Sequence, residues 1–307
     1  MQTFLGIDIG GTNIKMGFVT GDGELLNKVK IPTIELRKSG DFSGELFRLI
    51  TDQLALRKDV TKVGIGVPGL ISKNRRSLLE LPNIPELSHY PLVDELSKLF
   101  PKHSFTMEND ANAAALGEFH FGKEKIKEDF IFVTLGTGIG SAAIIDGKIF
   151  KGGDGNGMEL GHIVYKNGKT LENRIGKKGL LKIISKELKD SGSKSNILNG
   201  KIEATTKEVL AAAREGDKTA IKIYAKVGEI LGIGLIAAIR ILDIKKVIVG
   251  GGVSEIFDFI KPNIEKAFSE YLTPYYNEHT HVMLATLGNE AGIIGAASLC
   301  FIDIKTV

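Results

Sequence analysis

Short runs in which nearly every residue is apolar or glycine (FLGIDI, VGIGV, FIFVTL, VIVGGG) are separated by longer stretches whose apolar positions recur every three or four residues. Near-continuous apolar runs of this length are what strands covered on both faces produce, and the wider spacing is that of helices with one buried side. Strands are predicted at 4–9, 13–20 and 24–31, a meander turned at Gly21-Asp22-Gly23, and again at 62–67 and 104–108. A helix is predicted at 43–58, with Ser43 as N-cap and Leu46, Leu49, Ile50 and Leu54 on one face, and others at 92–100 and 111–121. The second half continues with strands at 130–135, 141–146, 159–165, 245–249 and 282–287. Its helices are predicted at 178–190, 206–215, 218–242, 254–271 and 289–302. Mixed order of this kind predicts an α/β protein.

Two stretches look like copies. Phe4–Val19 (FLGIDIGGTNIKMGFV) and Phe130–Ile145 (FIFVTLGTGIGSAAII) share an apolar strand, a Gly/Thr turn and a second apolar strand. Each opens a half of the chain, so two lobes are expected: a small one of residues 1–116 plus 288–307 and a large one of residues 117–287. No Pro/Ser-rich linker separates them. The polar, weakly periodic stretch Ser191–Thr206 is expected to be a mobile loop. The most apolar later run, Ile230–Ile239, is about half of what spans a bilayer and reads as a buried helix. The start, MQTFLGIDIG, has no basic stretch before its apolar residues, so a cytoplasmic protein is expected.

Composition changes this picture in two places. The chain has 307 residues, 43% hydrophobic and 25% charged, with a formal net charge of +3, which argues for neither a nucleic-acid nor a membrane partner. Cys300 is the only cysteine, so no intrachain disulfide or cysteine-rich metal knuckle can form. Glycine is in excess, 37 residues against the ~7% of an average protein. Sixteen of them fall in five clusters: Gly10 and Gly11; Gly64, Gly66 and Gly69; Gly136, Gly138 and Gly140; Gly152, Gly153, Gly155, Gly157 and Gly161; and Gly250 to Gly252. Four clusters follow or overlap a strand-like run, where a glycine turn lets backbone N–H groups converge on phosphate oxygens. One cluster alone would read as a hairpin turn; several on strand ends point to phosphate binding.

The motifs DIGGTNIKMG, GIGVPG, LPNIP, ENDANAAALGE, LGTGIGSA, GGDGNGMELGH and VIVGGGVS occur in one order from Ile7 to at least Gly295. In this the chain resembles the ROK family of repressors, open reading frames and sugar kinases, and within it the bacterial glucokinases and neighbouring hexose kinases. The resemblance implies the actin-like ATPase fold, a duplicated ribonuclease-H-like α/β fold of two lobes with the active site in the cleft between them. It implies ATP and Mg²⁺ as cofactors. Asp8, Gly10, Gly11, Thr12, Asn13 and Lys15 would meet the phosphates, with Asp8 near Mg²⁺, directly or through water. Gly136, Thr137 and Gly138 would hold the phosphates from the other lobe, and Gly250, Gly251 and Gly252 would wall the adenosine.

Asp110 in Glu108-Asn109-Asp110-Ala111-Asn112 matches the family's catalytic base, which takes the proton of the attacking hydroxyl. Taken alone, an aspartate before an alanine-rich helix is an N-cap, and Asp110 could serve both ends. The sugar would meet Asn109, Asp110, Glu159, His162 and Glu172, with Asn83 and Gly69 as further candidates. Carboxylates and amides suit a polyol, because they take or share hydroxyl hydrogens. Most family members carry a Cys-x-Cys-Gly-x-x-Gly-Cys zinc segment between that histidine and the last glutamate. Here Val164–Thr170 replaces it without cysteine, so no zinc site is expected. Relatives that use polyphosphate also lack those cysteines. His279 and His281 could share a strand face, but two ligands do not make a metal site.

The expected function is ATP-dependent transfer of a γ-phosphoryl group to a hexose 6-hydroxyl, with glucose as the sugar. N-acetylmannosamine, N-acetylglucosamine or fructose as acceptor, polyphosphate as donor, and a non-catalytic sugar-responsive regulator are the alternatives. Regulators of the family carry an N-terminal helix-turn-helix, whereas the phosphate motif here begins at Asp8, which favours catalysis. Expected partners are a small-molecule hexose and a nucleotide, with the chain as a homo-oligomer, a dimer by resemblance.

Overall fold

The computed structural model describes residues 2–191, 195, 197, 198, 201 and 203–301, so part of the stretch read as a mobile loop lies outside the described residues. The chain begins with β1 (Thr3–Ile9), β2 (Asn13–Thr20), β3 (Leu25–Pro32), α1 (Thr33–Lys38), α2 (Phe42–Leu56), β4 (Lys62–Val67), β5 (Leu70–Ile71) and β6 (Leu78–Glu80). It continues with α3 (Leu92–Leu99), β7 (Ser104–Asn109), α4 (Asp110–Phe121), β8 (Phe130–Leu135), β9 (Ile139–Ile145) and β10 (Lys148–Ile149). After these come β11 (Val164–Lys166), β12 (Lys169–Thr170), α5 (Leu171–Ile175), α6 (Lys177–Ser191), α7 (Thr206–Arg214) and α8 (Lys218–Leu242). The last elements are β13 (Lys246–Gly251), α9 (Phe257–Tyr271), α10 (Pro274–His279), β14 (His281–Leu284) and α11 (Ala291–Ser298).

Two local expectations are corrected. The helix near 43 is capped by Asp41, whose carboxylate accepts the Gly44 N–H at 2.9 Å, and not by Ser43. The strand predicted at 159–165 is a 3-10 turn, Leu160–His162, followed by β11. Gly161 sits so close to the Ile139 carbonyl that a Cβ would lie 2.3 Å from it.

The chain divides into two compact units, one of Met1–Glu128, Ala142–Met158 and Thr286–Val307, the other of Asp129–Ser141 and Glu159–Ala285. One five-stranded sheet has the order β3-β2-β1-β4-β7, with β1, β2 and β3 antiparallel and β4 and β7 parallel to β1. The other has the order β10-β9-β8-β13-β14, with β13 parallel to β8 and β14 parallel to β13. Both run from three consecutive strands to two parallel ones, the topology expected of a duplication that includes Phe4–Val19 and Phe130–Ile145.

In the first unit β1 is covered on both faces, which is why its sequence is continuously apolar. Leu5, Ile7 and Ile9 pack with Leu46 and Ile50 of α2 and Leu92 and Leu96 of α3, while Phe4 packs with Ile293, Ile294 and Ala297 of α11. On the α11 face, Gly6 is in register with Gly17 on β2 and Gly64 on β4. These three make a row with no side chains, and α11 lies directly on it: a Cβ would be 2.1 Å from the Ile293 carbonyl at Gly6 and 1.7 Å from that of Ala296 at Gly64. Gly64, grouped by sequence with ligand-approach turns, is therefore a packing glycine inside a strand. In the second unit, Gly228 and Gly232 of α8 allow a similar approach by α9, near Ile260 and Ile264. The apolar run Ile230–Ile239 lies inside α8, and no helix among the described residues is long and apolar enough to cross a membrane.

Candidate active site

Parallel strands β1, β4 and β7 end at one edge of the first sheet, with Asp8, Gly66 and Glu108 paired in a row and Val67 opposite Asn109. Ligands of open α/β sheets bind beyond such carboxyl ends. The turn after β1 is closed by the Gly10 N–H donating to the Asn13 carbonyl at 3.0 Å. Thr33 braces it, its hydroxyl donating to the Gly10 carbonyl at 2.6 Å and its N–H to the Thr12 carbonyl at 3.0 Å. Lys15, opposite Asp8 on β2, pairs with the Asp8 carboxylate at 3.0 Å. That carboxylate lies against Gly292 in the first turn of α11, where a Cβ would be 2.4 Å away. Asn83 is brought to the same turn, 2.7 Å from a Cβ at Gly11, and is held there by Arg37, which donates to its carbonyl.

At the end of β7 the helix cap falls on Asn109. Its side-chain oxygen accepts the N–H groups of Ala111 and Asn112 at 2.9 and 3.3 Å, and its amide donates to the Gly69 carbonyl at 3.3 Å. Asp110 is the first residue of α4, so the N-cap falls on its neighbour, while the Asp110 carboxylate itself accepts the Ala111 N–H at 2.8 Å. Gly69, with φ +85°, comes within 2.2 Å (as a Cβ) of the Glu80 carbonyl, a place for glycine only. Asp8, Gly10, Gly11, Lys15 and Asn83 thus form one group, and Gly69, Asn109 and Asp110 another at the neighbouring strand ends. Beneath the second group lies a buried Glu108–Arg75 ion pair at 2.9 Å. No sequence signal separates Arg75 from Arg76 beside it in the same polar turn.

In the second unit β8 and β13 end side by side, with Leu135 opposite Gly251. The turn after β8 is closed by the Gly136 N–H donating to the Gly138 carbonyl at 2.9 Å. Gly251 has φ +81° and passes within 2.4 Å (as a Cβ) of the Thr134 hydroxyl. Beside these turns is a cavity of about 210 Å³ lined by Leu135, Gly136, Ile175, Lys177, Leu180, Thr206, Lys207, Leu210, Tyr224, Val227, Gly252, Glu255 and Ile256. Tyr224 stacks on Phe259 and donates to the Thr206 carbonyl at 3.3 Å; burial pushes its phenol up to about 12. Among the lining residues the glycines carry the clearest sequence signal, because most of the others come from helices with ordinary amphipathic patterns.

Glu159 and His162 meet, Nδ1 lying 2.9 Å from the carboxylate, through the 3-10 turn between them. The segment that replaces the family's cysteines is a hairpin, β11 to β12, around Asn167 (φ +55°) and Gly168 (φ +68°). Positive φ at both is the signature of a type I′ turn, which Asn-Gly favours. The hairpin is closed by the Leu171 N–H donating to the Ile163 carbonyl at 3.0 Å and by a capping box between Thr170 and Asn173. Glu172 is placed against the phosphate-side turn: its carboxylate accepts the Ile139 N–H at 2.9 Å and lies over Gly138.

Two sheets of one topology, each with a glycine turn at the carboxyl ends of parallel strands, are those of the duplicated, actin-like ATPase fold. Residues 4–301 match the ROK family model, and the chain belongs to that family. The glucokinase of Thermotoga maritima is 32% identical over 96% of this chain and 96% of its own length. Among solved structures, a Cytophaga hutchinsonii chain matches with a TM-score of 0.90 at 39% identity, covering 97% of this chain and 99% of that one. A ROK family glucokinase from Streptomyces griseus, in complex with glucose and AMPPNP, matches with a TM-score of 0.83 at 30% identity over 98% of this chain and 100% of that chain.

Proposed function

We propose that the chain is an ATP-dependent glucokinase in which Asp110 is the general base. One observation carries the reading. Asn109 takes the capping of α4, and the Asp110 carboxylate, which accepts the Ala111 N–H through one oxygen at 2.8 Å, stands in the first helical turn at the strand edge that also holds the Asp8 turn. Asp110 accepts the proton of the sugar 6-hydroxyl as that oxygen bonds to the γ-phosphorus and the bond to the β,γ-bridging oxygen breaks, releasing ADP. Asn109 offers the sugar its remaining amide hydrogen, since its oxygen is committed to backbone donors and its other hydrogen to the Gly69 carbonyl. Glu172 offers its second carboxylate oxygen, and Glu159 and His162 act on hydroxyls as a pair. Asn83 and Gly69 are assigned to the sugar as well.

The N–H groups of the Gly10–Asn13 and Gly136–Gly138 turns, with Thr12, Thr137 and Lys15, are assigned to the phosphates. The adenosine is assigned to the cavity beside Gly252, whose apolar walls, Lys207 and Glu255 suit a base and ribose; inorganic polyphosphate would leave those walls uncovered. Among the described residues no group of three or more His, Cys, Asp or Glu is placed to hold a metal ion. Mg²⁺ keeps several waters and takes one or two carboxylates plus substrate phosphates, and Asp8 beside an open glycine turn fits that mode. When bound, the ion neutralises phosphate charge.

A coupled assay of ATP and polyphosphate against glucose, N-acetylmannosamine, N-acetylglucosamine and fructose tests the reading. ATP with glucose is expected to give the highest kcat/KM. No turnover with any of these sugars would contradict it.

A further inference from the structure

Arg75 lies in the turn between β5 and β6, in a left-handed conformation (φ +57°), with its side chain 11% exposed. Its guanidinium is engaged on every edge. Nε donates to Glu108 Oε2 at 2.9 Å, Nη1 to the Ser72 carbonyl at 3.2 Å, and Nη2 to the Gly155 carbonyl. The Glu108 side chain, 4% exposed, uses its other oxygen to accept the Asn109 N–H at 2.8 Å and the Asn112 side-chain amide at 3.1 Å. Through one carboxylate, a buried cation thus fixes the residues on both sides of Asp110.

The same cation fixes a second segment. Gly155 has no room for a side chain because the guanidinium occupies the space: a Cβ would be 2.3 Å from Nη1. Asn156 supplies a separate tie, its amide pairing with the Ile71 backbone in both directions, N–H to Oδ1 at 3.1 Å and Nδ2 to the carbonyl at 3.0 Å. Three residues further on the chain reaches Glu159. A buried arginine–carboxylate pair costs desolvation that its attraction does not reliably recover, so stability is a weak reason for one here. Its fork is suited to holding several acceptors in fixed directions.

We propose that Arg75 is a positioning residue for the phosphoryl transfer. It sets Asp110 through Glu108, and it holds the turn that leads to Glu159 through Gly155. The inference rests on the reading of Asp110 as general base. Arg75→Met is expected to lower kcat at least tenfold and, by freeing Gly155, to raise the glucose KM several-fold, and Arg75→Lys, which keeps charge but not the fork, to recover part of the loss in kcat. Asn156→Ala, which cuts only the other tie, is expected to raise KM several-fold with kcat within twofold of wild type.

A folded Arg75→Met with kcat within twofold of wild type, or with a loss confined to KM, overturns the inference. Should that variant lose its thermal transition, Arg75→Lys decides: a wild-type kcat overturns the inference and a lowered one supports it. Asp110→Asn separates the two levels. An active Asp110→Asn contradicts the base assignment itself, whereas an inactive one beside an unimpaired Arg75→Met contradicts only the role of Arg75.

Discussion

The N-cap of α4 and the proposed base, which sequence alone leaves on one aspartate, fall on two neighbouring residues, Asn109 and Asp110. The division is set by where β7 ends: Asn109 keeps extended backbone and turns its oxygen onto the N–H groups of the first turn, while Asp110 is already helical. Such a one-residue offset is not legible in the string ENDAN, since both residue types cap well. Glycine shows the same limit. Gly64 and Gly69 look alike in GIGVPG, yet one is crossed by α11 and the other has φ +85° at a turn. Gly64→Ala should therefore destabilise the protein by about 3 kcal/mol or more, because the added carbon meets backbone that cannot yield locally. Gly153→Ala, where nothing lies within 4 Å of an added Cβ, should stay within about 0.5 kcal/mol. Urea unfolding of both variants checks the contrast.

Elements were most legible where their pattern was long. The strands from 4 to 31 and the helix at 218–242 follow directly from apolar periodicity, and α8 has the predicted bounds. Short elements made by capping or turn chemistry were not read, among them α5 and the Asn167-Gly168 hairpin. The Asn-Gly signal is present there, but the strands on either side, of three and two residues, are too short to show an alternating pattern. The N-cap of α8 is also a pH-sensitive element. Burial raises the Asp217 carboxyl, but the Ala220, Ile197 and Thr219 N–H groups and the Ser195 hydroxyl outweigh it and hold the group below the ordinary carboxylate range. A depressed folded pKa gives stability that is present above the unfolded value of about 4 and is lost as pH falls toward the folded one. Asp217→Ala should cost about 1–2 kcal/mol at neutral pH, and its acid-side loss of stability should be shallower than that of the wild type in thermal melts from pH 6 to 3.

For the molecule as a whole, duplication was the strongest long-range signal in the sequence. Two matching strand–turn–strand segments, weak in identity, correspond to two sheets of one strand order. What a sequence pattern could not supply was contact between distant segments, such as Arg75 with Gly155 or Glu172 with Ile139. These contacts place the proposed sugar and phosphate residues on shared supports, so the central claim is chemical: a carboxylate at 110 takes a proton during transfer. The direct test is Asp110→Asn, measured for kcat with ATP and glucose and for glucose affinity by calorimetry. Loss of general-base catalysis should lower kcat by about 10²–10⁴-fold, with glucose affinity within about threefold of wild type. Turnover close to wild type in that variant would contradict the account.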